Sequence, residues 1–353
     1  MSALGSFTGQ EGTTVTRHRS LIVLSGLLVV LGAAACSDAQ VQASPSDSVS
    51  PAASATTADS GVAATTAAPA APTTVGPSKP STSSTSGSGS GGQTTTGGKP
   101  GPGNTGVKQG VSLTVVTGDK TFSGPGHVVE NQDFRGFVRV TGTGWTFRNC
   151  VFRGRATNEN KGLLDTTGGQ NTVVEDSEFV PSHPSATIDD IWAANAKIYR
   201  ANIHGGVDGV KILEPGHVLI QDSWIHDMTW FASDPNQGGG ETHNDGVQGF
   251  DGTTEVTLRH NTIDMSSDSR ANAAFQNSTQ NAIVDGNWLD GGACTLNFAP
   301  HDKLLVIIAV TNNRFGRHRY FTNCVIKQYQ PSVIQTNTGN VWDDTGKPVP
   351  PPQ

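Results

Sequence analysis

The chain has 353 residues, a formal charge of −7, 15% charged residues and 6% aromatics. A mildly acidic balance argues against nucleic acid as the principal partner. Once a low-complexity N-terminal stretch is set aside, about 240 residues remain, long enough for one domain with a sizeable core.

In chain order, residues 1–19 are polar and end in "RHR", and residues 21–31 form an apolar run of eleven followed by "GAAAC". The run is short for a bilayer span and has the shape of an export signal. It resembles a bacterial lipoprotein signal over residues 1–36, in which Cys36 becomes the lipidated N-terminus. Ala33 departs from the usual Leu of that pattern, and cleavage after Ala35 is the alternative. The expected location is the cell surface, held to the membrane only by the lipid, or the exterior if cleavage follows Ala35. From 37 to 106 the sequence is Ala, Thr, Ser, Pro and Gly, with no aromatic residue between Cys36 and Phe122. Such a segment buries too little apolar surface to offset its ordering entropy and is predicted to be a disordered linker.

The domain, 107–345, is organised by an internal repeat. The pattern apolar, x, x, small or Asn, x, apolar appears as "FRNCVF" (147–152), "VEDSEF" (174–179), "IYRANI" (198–203) and "IQDSWI" (220–225), then as "LRHNTI" (258–263), "VDGNWL" (284–289) and "VTNNRF" (310–315). Its last anchors are spaced by 27, 24, 22, 38, 26 and 26 residues. A period in the twenties with short strand-like segments predicts a solenoid, and the leucine-rich spacing is absent. The clearest copy, "DGVKILEPGHVLIQDSWIHD" (208–227), reads as three strands: "GVKIL", then "VLI" after the turn "EPGH", then "WI" after a tight bend at Asp222 and Ser223. The small or Asn position then stacks coil over coil as Cys150, Ser177, Ala201, Ser223, Asn261, Asn287 and Asn313, where side-chain amides can satisfy a bent backbone.

On these residues the domain resembles the right-handed parallel β-helix of the pectate-lyase-like superfamily over about 125–342. The resemblance implies an all-β fold of three-strand coils, about 22–27 residues each, with an Asn ladder at the second turn. More narrowly, "NIHGGVDGVK", "HNDGVQ", "RHNTI" and "NNRFGR" are similar to segments of secreted bacterial β-helix proteins of unassigned activity. Residues 346–353 are a Pro-rich tail, and a monomer is expected. Cys294 and Cys324 precede equivalent strands of successive coils. At a strand spacing of about 4.8 Å they fall within disulfide reach, leaving Cys150 free in the ladder.

The 38-residue interval between Ile225 and Ile263 contains an insertion, "HDMTWFASDPNQGGGETHN", in the third turn. Long loops on rigid scaffolds tend to carry function. In lyases of the superfamily the cleft follows the first strand's outer face, so the resemblance implies a groove beside the insertion. Its floor is the outward column Lys211, Gln248, Gln276, Asn297 and Lys327.

An acidic polysaccharide cleaved by β-elimination needs a base and a group to neutralise the sugar carboxylate. Lys211 or His243 is the candidate base and Gln248 the carboxylate partner; Glu241 and His243, which no repeat position requires, are the first choices. Asp208, Asp227, Glu241 and Asp245 are the candidate Ca²⁺ ligands, and Trp230 and Phe231 are candidate sugar-stacking surfaces with Trp224. Asp208 and Asp245 also fit plain strand capping, Lys211 a solvated lysine, and His204, His226 and His260 structural packing. The Trp-Ile-Asp-His and Arg-x-Pro-x-x-Arg signatures of pectate lyases are missing, and "HND" lacks the companion motifs of polygalacturonases. Three readings therefore stand: a polysaccharide lyase, which is preferred, then a non-catalytic glycan-binding surface protein, and a glycoside hydrolase using Asp208 and Asp245.

Overall fold

A computed structural model describes residues 98–353. The export signal, Cys36 and residues 37–97 of the expected linker lie outside the described residues.

Three parallel sheets run the length of the domain, and the chain visits them in strict rotation. The first sheet has nine strands, from Lys120–Phe122 to Ile326–Gln328; the second has nine, from Val128–Glu130 to Ile334–Thr338. The third has ten, from Thr114–Thr117 to Val341–Trp342. This is a parallel β-helix. The repeat anchors Phe152, Phe179, Ile203, Ile225, Ile263, Leu289 and Phe315 point inward from the third sheet and are at most 1% exposed. Each coil buries its apolar residues against the coils above and below, so the core is a continuous column, with Phe134, Phe152 and Phe179 stacked face to face at one end.

The tight turn between the second and third sheets explains the small-or-Asn position. The residue just before it is left-handed in coil after coil: Asn149, Asp176, Arg200, Asp222, His260 and Asn312 have φ of 50–57°. That conformation is costly for most L-residues and most tolerable for Gly, Asn and Asp. The following side chain then reaches the neighbouring coil. Asn261, Asn287 and Asn313 each accept from the backbone N–H of the preceding rung, at 2.9, 2.8 and 2.9 Å. Each also donates to a carbonyl of the preceding coil. An eighth rung, Asn340, continues the ladder by accepting from Asn313 N at 3.0 Å.

Cys294 and Cys324 are bonded, with Cα atoms 4.8 Å apart, and Cys150 is buried and free. The N-terminal end of the domain differs from expectation. Residues 98–106, read as linker, form a strap along the outside of the helix. Pro100 is buried and accepts from Thr262 Oγ1 at 2.7 Å, Gly106 N donates to Arg200 O at 2.8 Å, and Lys108 pairs with Asp176 at 2.8 Å. Gly106 lies so close that a Cβ would stand 2.9 Å from Asn202 Cβ. The Pro-rich tail is also engaged. It bridges Val341 through Pro348 and pairs Gln353 with the last first-sheet strand, covering the edge of the final coil.

Candidate functional site

The first sheet carries the site because its outward side chains lie in register from coil to coil. Asp165, Trp192, Lys211, Gln248, Gln276, Asn297 and Lys327 form one row. A cleft of about 620 Å³ follows this row from Asp189 and Trp192 to Asn297. Its third-turn wall is the insertion, which holds a short 3₁₀ turn, Pro235–Gln237, capped by Asp234. Asn236 exchanges side-chain hydrogen bonds of 2.8 and 3.0 Å with Asn160, so the insertion leans back over two coils.

At the head of the cleft the strand Ile188–Ala193 loses its alternation. Its register with the preceding strand runs Ile188 to Lys161, Asp189 to Gly162, then Ile191 to Leu164, and the two adjacent aspartates are 4% and 0% exposed. Asp189 Oδ2 accepts from Trp192 Nε1 at 2.8 Å and faces Lys211 Nζ at 3.0 Å. Asp208 Oδ2 faces the same ammonium at 3.0 Å, while its Oδ1 accepts from Asp245 N at 2.6 Å. Asp245 is completely buried behind them, held by Asn272 Nδ2 at 3.0 and 3.2 Å.

One lysine therefore serves a row of buried carboxyls. Burial pushes Asp208 up to about 6, with the Asp189 charge adding and Lys211 opposing. Burial and the Asp208 charge raise Asp245 well above the usual carboxylate range. Asp190, buried with one oxygen unpartnered, is raised for the same primary reason. Burial opposes the charge on Lys211, but Asp208 and Asp189 outweigh it and hold the ammonium above its ordinary range. A lysine general base needs the opposite shift, so Lys211 is a poor base.

The other expected residues divide. His243, Gln248, Gln276 and Asn297 line the cleft, and Lys327 stands on the next strand beyond it. Glu241 is exposed and absent from the lining. Trp230 lies under Arg270 at 3.5 Å and, with Asp227, borders a separate hollow; Phe231 closes the base of the insertion against Thr242. The four carboxylates expected to hold Ca²⁺ do not converge: Asp227 bonds His226 at 2.7 Å outside the cleft. Among the described residues no group of three or more metal-ligating side chains is assembled. His204 and His226 stack with centroids 5.0 Å apart on the third sheet, and His260 bonds Asp222 at 2.6 Å in the tight turn. Asp208 and Asp245 do meet, but Asp245 faces away from solvent, so the pair that borders the cleft is Asp189 and Asp208.

Asp189, Trp192, Asp234, Phe250 and Asn272 are lining residues that sequence reasoning did not assign. The signal available for two of them was "IDDIW", where consecutive acids break a strand's alternation. No protein-family model, curated protein or solved structure matches the chain.

Proposed function

We propose that the cleft holds a polysaccharide lying along the helix axis and hydrolyses its glycosidic bonds, with Asp208 as proton donor and Asp189 as the partner carboxylate. The observation that carries this is the shared ammonium. Both carboxylate oxygens lie 3.0 Å from Lys211 Nζ and so stand no more than 6.0 Å apart, compatible with the roughly 5–5.5 Å of retaining glycosidases. An acid raised by burial beside a paired carboxylate is the division of labour that such hydrolysis requires. Asp208 gives its proton to the leaving oxygen while Asp189 bonds the anomeric carbon. Water then releases the sugar, with Asp208 taking the proton back.

Elimination on a uronan is supported less well, because the lysine is shifted away from the free base and the ammonium that lines the cleft is already paired with Asp189 and Asp208, which leaves it unavailable to a sugar carboxylate. The ligand class proposed is therefore a neutral glycan. The resemblance to pectate-lyase-like proteins supports carbohydrate as the ligand, and the lipoprotein-type signal ending at Cys36 supports a cell-surface location. A second reading, glycan binding without turnover, is favoured by the position of Lys211 Nζ between the two carboxylates.

The test incubates the purified protein with neutral and acidic polysaccharides. New reducing ends without a double bond support hydrolysis. Unsaturated products would replace it with elimination, and retention on a glycan column without turnover would leave binding alone.

A further inference from the structure

The cleft ends at Asn297, but the floor does not. Lys327 is paired in register with Asn297 on the last first-sheet strand, four coils from Lys211. Among the described residues its ammonium has no carboxylate partner within salt-bridge distance, and it lies 5.1 Å from the centre of the Tyr329 ring. Tyr329 directly follows that strand and is 47% exposed. On the other side of the same strand, Tyr320 and Phe321 are 67% and 51% exposed, with ring centroids 4.9 Å apart.

The backbone that carries these aromatics is tied to the previous coil. Tyr320 N and Phe321 N donate to Gly292 O and Ala293 O of the previous coil. The disulfide from Cys294 to Cys324 closes the same loop onto that coil. Tyr329 N donates to Phe298 O at 3.0 Å. The last strand thus runs from one exposed aromatic pair to another exposed ring, with a cation between them. Tyr320 and Phe321 form an exposed pair in contact, and contiguous exposed apolar surface marks an interaction site more readily than single exposed rings do.

We propose that Lys327 and Tyr329, with Tyr320 and Phe321 opposite, form a distal sugar subsite that binds the same polysaccharide about four units from Lys211. The inference rests on the reading of the cleft as a glycan site. The spacing between coils, about 4.8 Å, is close to the length of one pyranose, so a chain on the floor advances about one unit per coil. A pyranose presents an apolar C–H face to an aromatic ring and hydroxyls at its rim. Tyr329 supplies the ring, and Lys327 donates to the hydroxyls. The amides of Gln248, Gln276 and Asn297 lie between the cleft head and this subsite, the last two joined at 2.5 Å.

The experiment measures affinity for ladders of gluco-, xylo-, manno- and N-acetylglucosamino-oligosaccharides, from dimers to octamers, in the whole protein and in Tyr329→Ala, Tyr329→Phe and Lys327→Ala. Short oligomers should bind wild type and variants alike. Beyond about five units wild type and Tyr329→Phe should tighten, while Tyr329→Ala should lose about five- to tenfold, the scale of one aromatic contact. Lys327→Ala should lose less. If wild type binds a ladder and Tyr329→Ala follows it at every length, the distal subsite is wrong and the cleft reading stands. If wild type retains none of the ladders, both fall.

Discussion

Along the tight turn, Asn261, Asn287, Asn313 and Asn340 form a stack in which each amide oxygen accepts from the rung before and each amide nitrogen finds a carbonyl. Across the molecule, Asp189, Asp208 and Asp245 are also polar, buried and stacked at coil spacing, yet the first two share one lysine and Asp245 has the Asn272 amide beside it. The first stack is closed in hydrogen-bonding terms, with nothing left over to bind or titrate. The second keeps surplus acid that only protonation or a ligand can relieve. Buried groups that are fully satisfied specify structure, whereas groups left with perturbed protonation equilibria point to chemistry. The two stacks should respond to substitution in opposite ways.

The largest stability effect is expected at a ladder rung. Asn287→Ala removes two bonds accepted by its oxygen, from Asn261 N and Nδ2, and two donated by its nitrogen, to Leu258 O and Asn313 Oδ1. With no water to replace them, the loss should be about 4 to 5 kcal/mol, read by denaturant titration, with glycan turnover per folded molecule unchanged. A loss below about 1 kcal/mol would mean the ladder is not the closed structural stack described.

Asp208→Asn should do the reverse. The amide oxygen can still accept from Asp245 N, so folding persists, while hydrolysis should fall about 10²–10⁴-fold, the typical contribution of an acid–base group. In wild type, turnover should decline as pH rises through about 6. Stability carries the same sign. A folded value above the unfolded one, about 3.9, means that the native state holds an extra proton between about pH 4 and 6. The Asp208 contribution is complete below that window and lost as pH rises through it. Asp208→Asn should flatten the slope of stability against pH there. An unchanged slope with unchanged turnover would make Asp208 a second structural rung.

Breaking the disulfide by Cys294→Ser and Cys324→Ser frees a cross-link over a sequence separation of 30. The expected cost is about 3 kcal/mol, confined to the last coils because a solenoid couples mainly neighbours. Hydrogen exchange should show loss of protection near Thr295 and Val325 and none at the Asp208 coil. Loss at both would show that the cleft depends on the C-terminal end.

Much of this was legible in the sequence because it repeats. The inward anchors and the ladder recur with the coil, so each copy corroborates the others, and equivalent positions of Cys294 and Cys324 followed directly. Asn340 escaped because its coil ends in "NTGNVW", where Gly339 takes the left-handed position and no apolar anchor sits three residues before the Asn. The Asp189–Lys211 pair joins residues on neighbouring coils and depends on a break in strand alternation, which a periodic reading smooths over. The strap escaped for a different reason. Its contacts at Pro100 and Gly106 are made through backbone atoms, and composition does not distinguish a Pro/Gly segment that docks from one that does not.

The smallest effect is expected at His243, and its neighbour makes it informative. Thr242 and Asn244 are each 1% exposed; Asn244 Nδ2 donates to Thr229 O at 2.8 Å and Asn272 N donates to Asn244 O at 2.8 Å. His243, between them, is exposed and lines the cleft. The segment therefore alternates side chains that fasten the insertion with one that faces a ligand. Asn244→Ala should cost about 1 to 2 kcal/mol, since it unpairs a buried carbonyl. His243→Ala should change stability by less than about 0.5 kcal/mol, as surface substitutions do, and weaken glycan binding by a few-fold at most, the scale of a single polar contact at a solvated rim. Thermal melts and oligosaccharide titrations on the two variants separate the roles. If His243→Ala destabilises as much as Asn244→Ala, or leaves glycan affinity untouched, the insertion is a wall held by its buried residues, and ligand contact belongs to the floor alone.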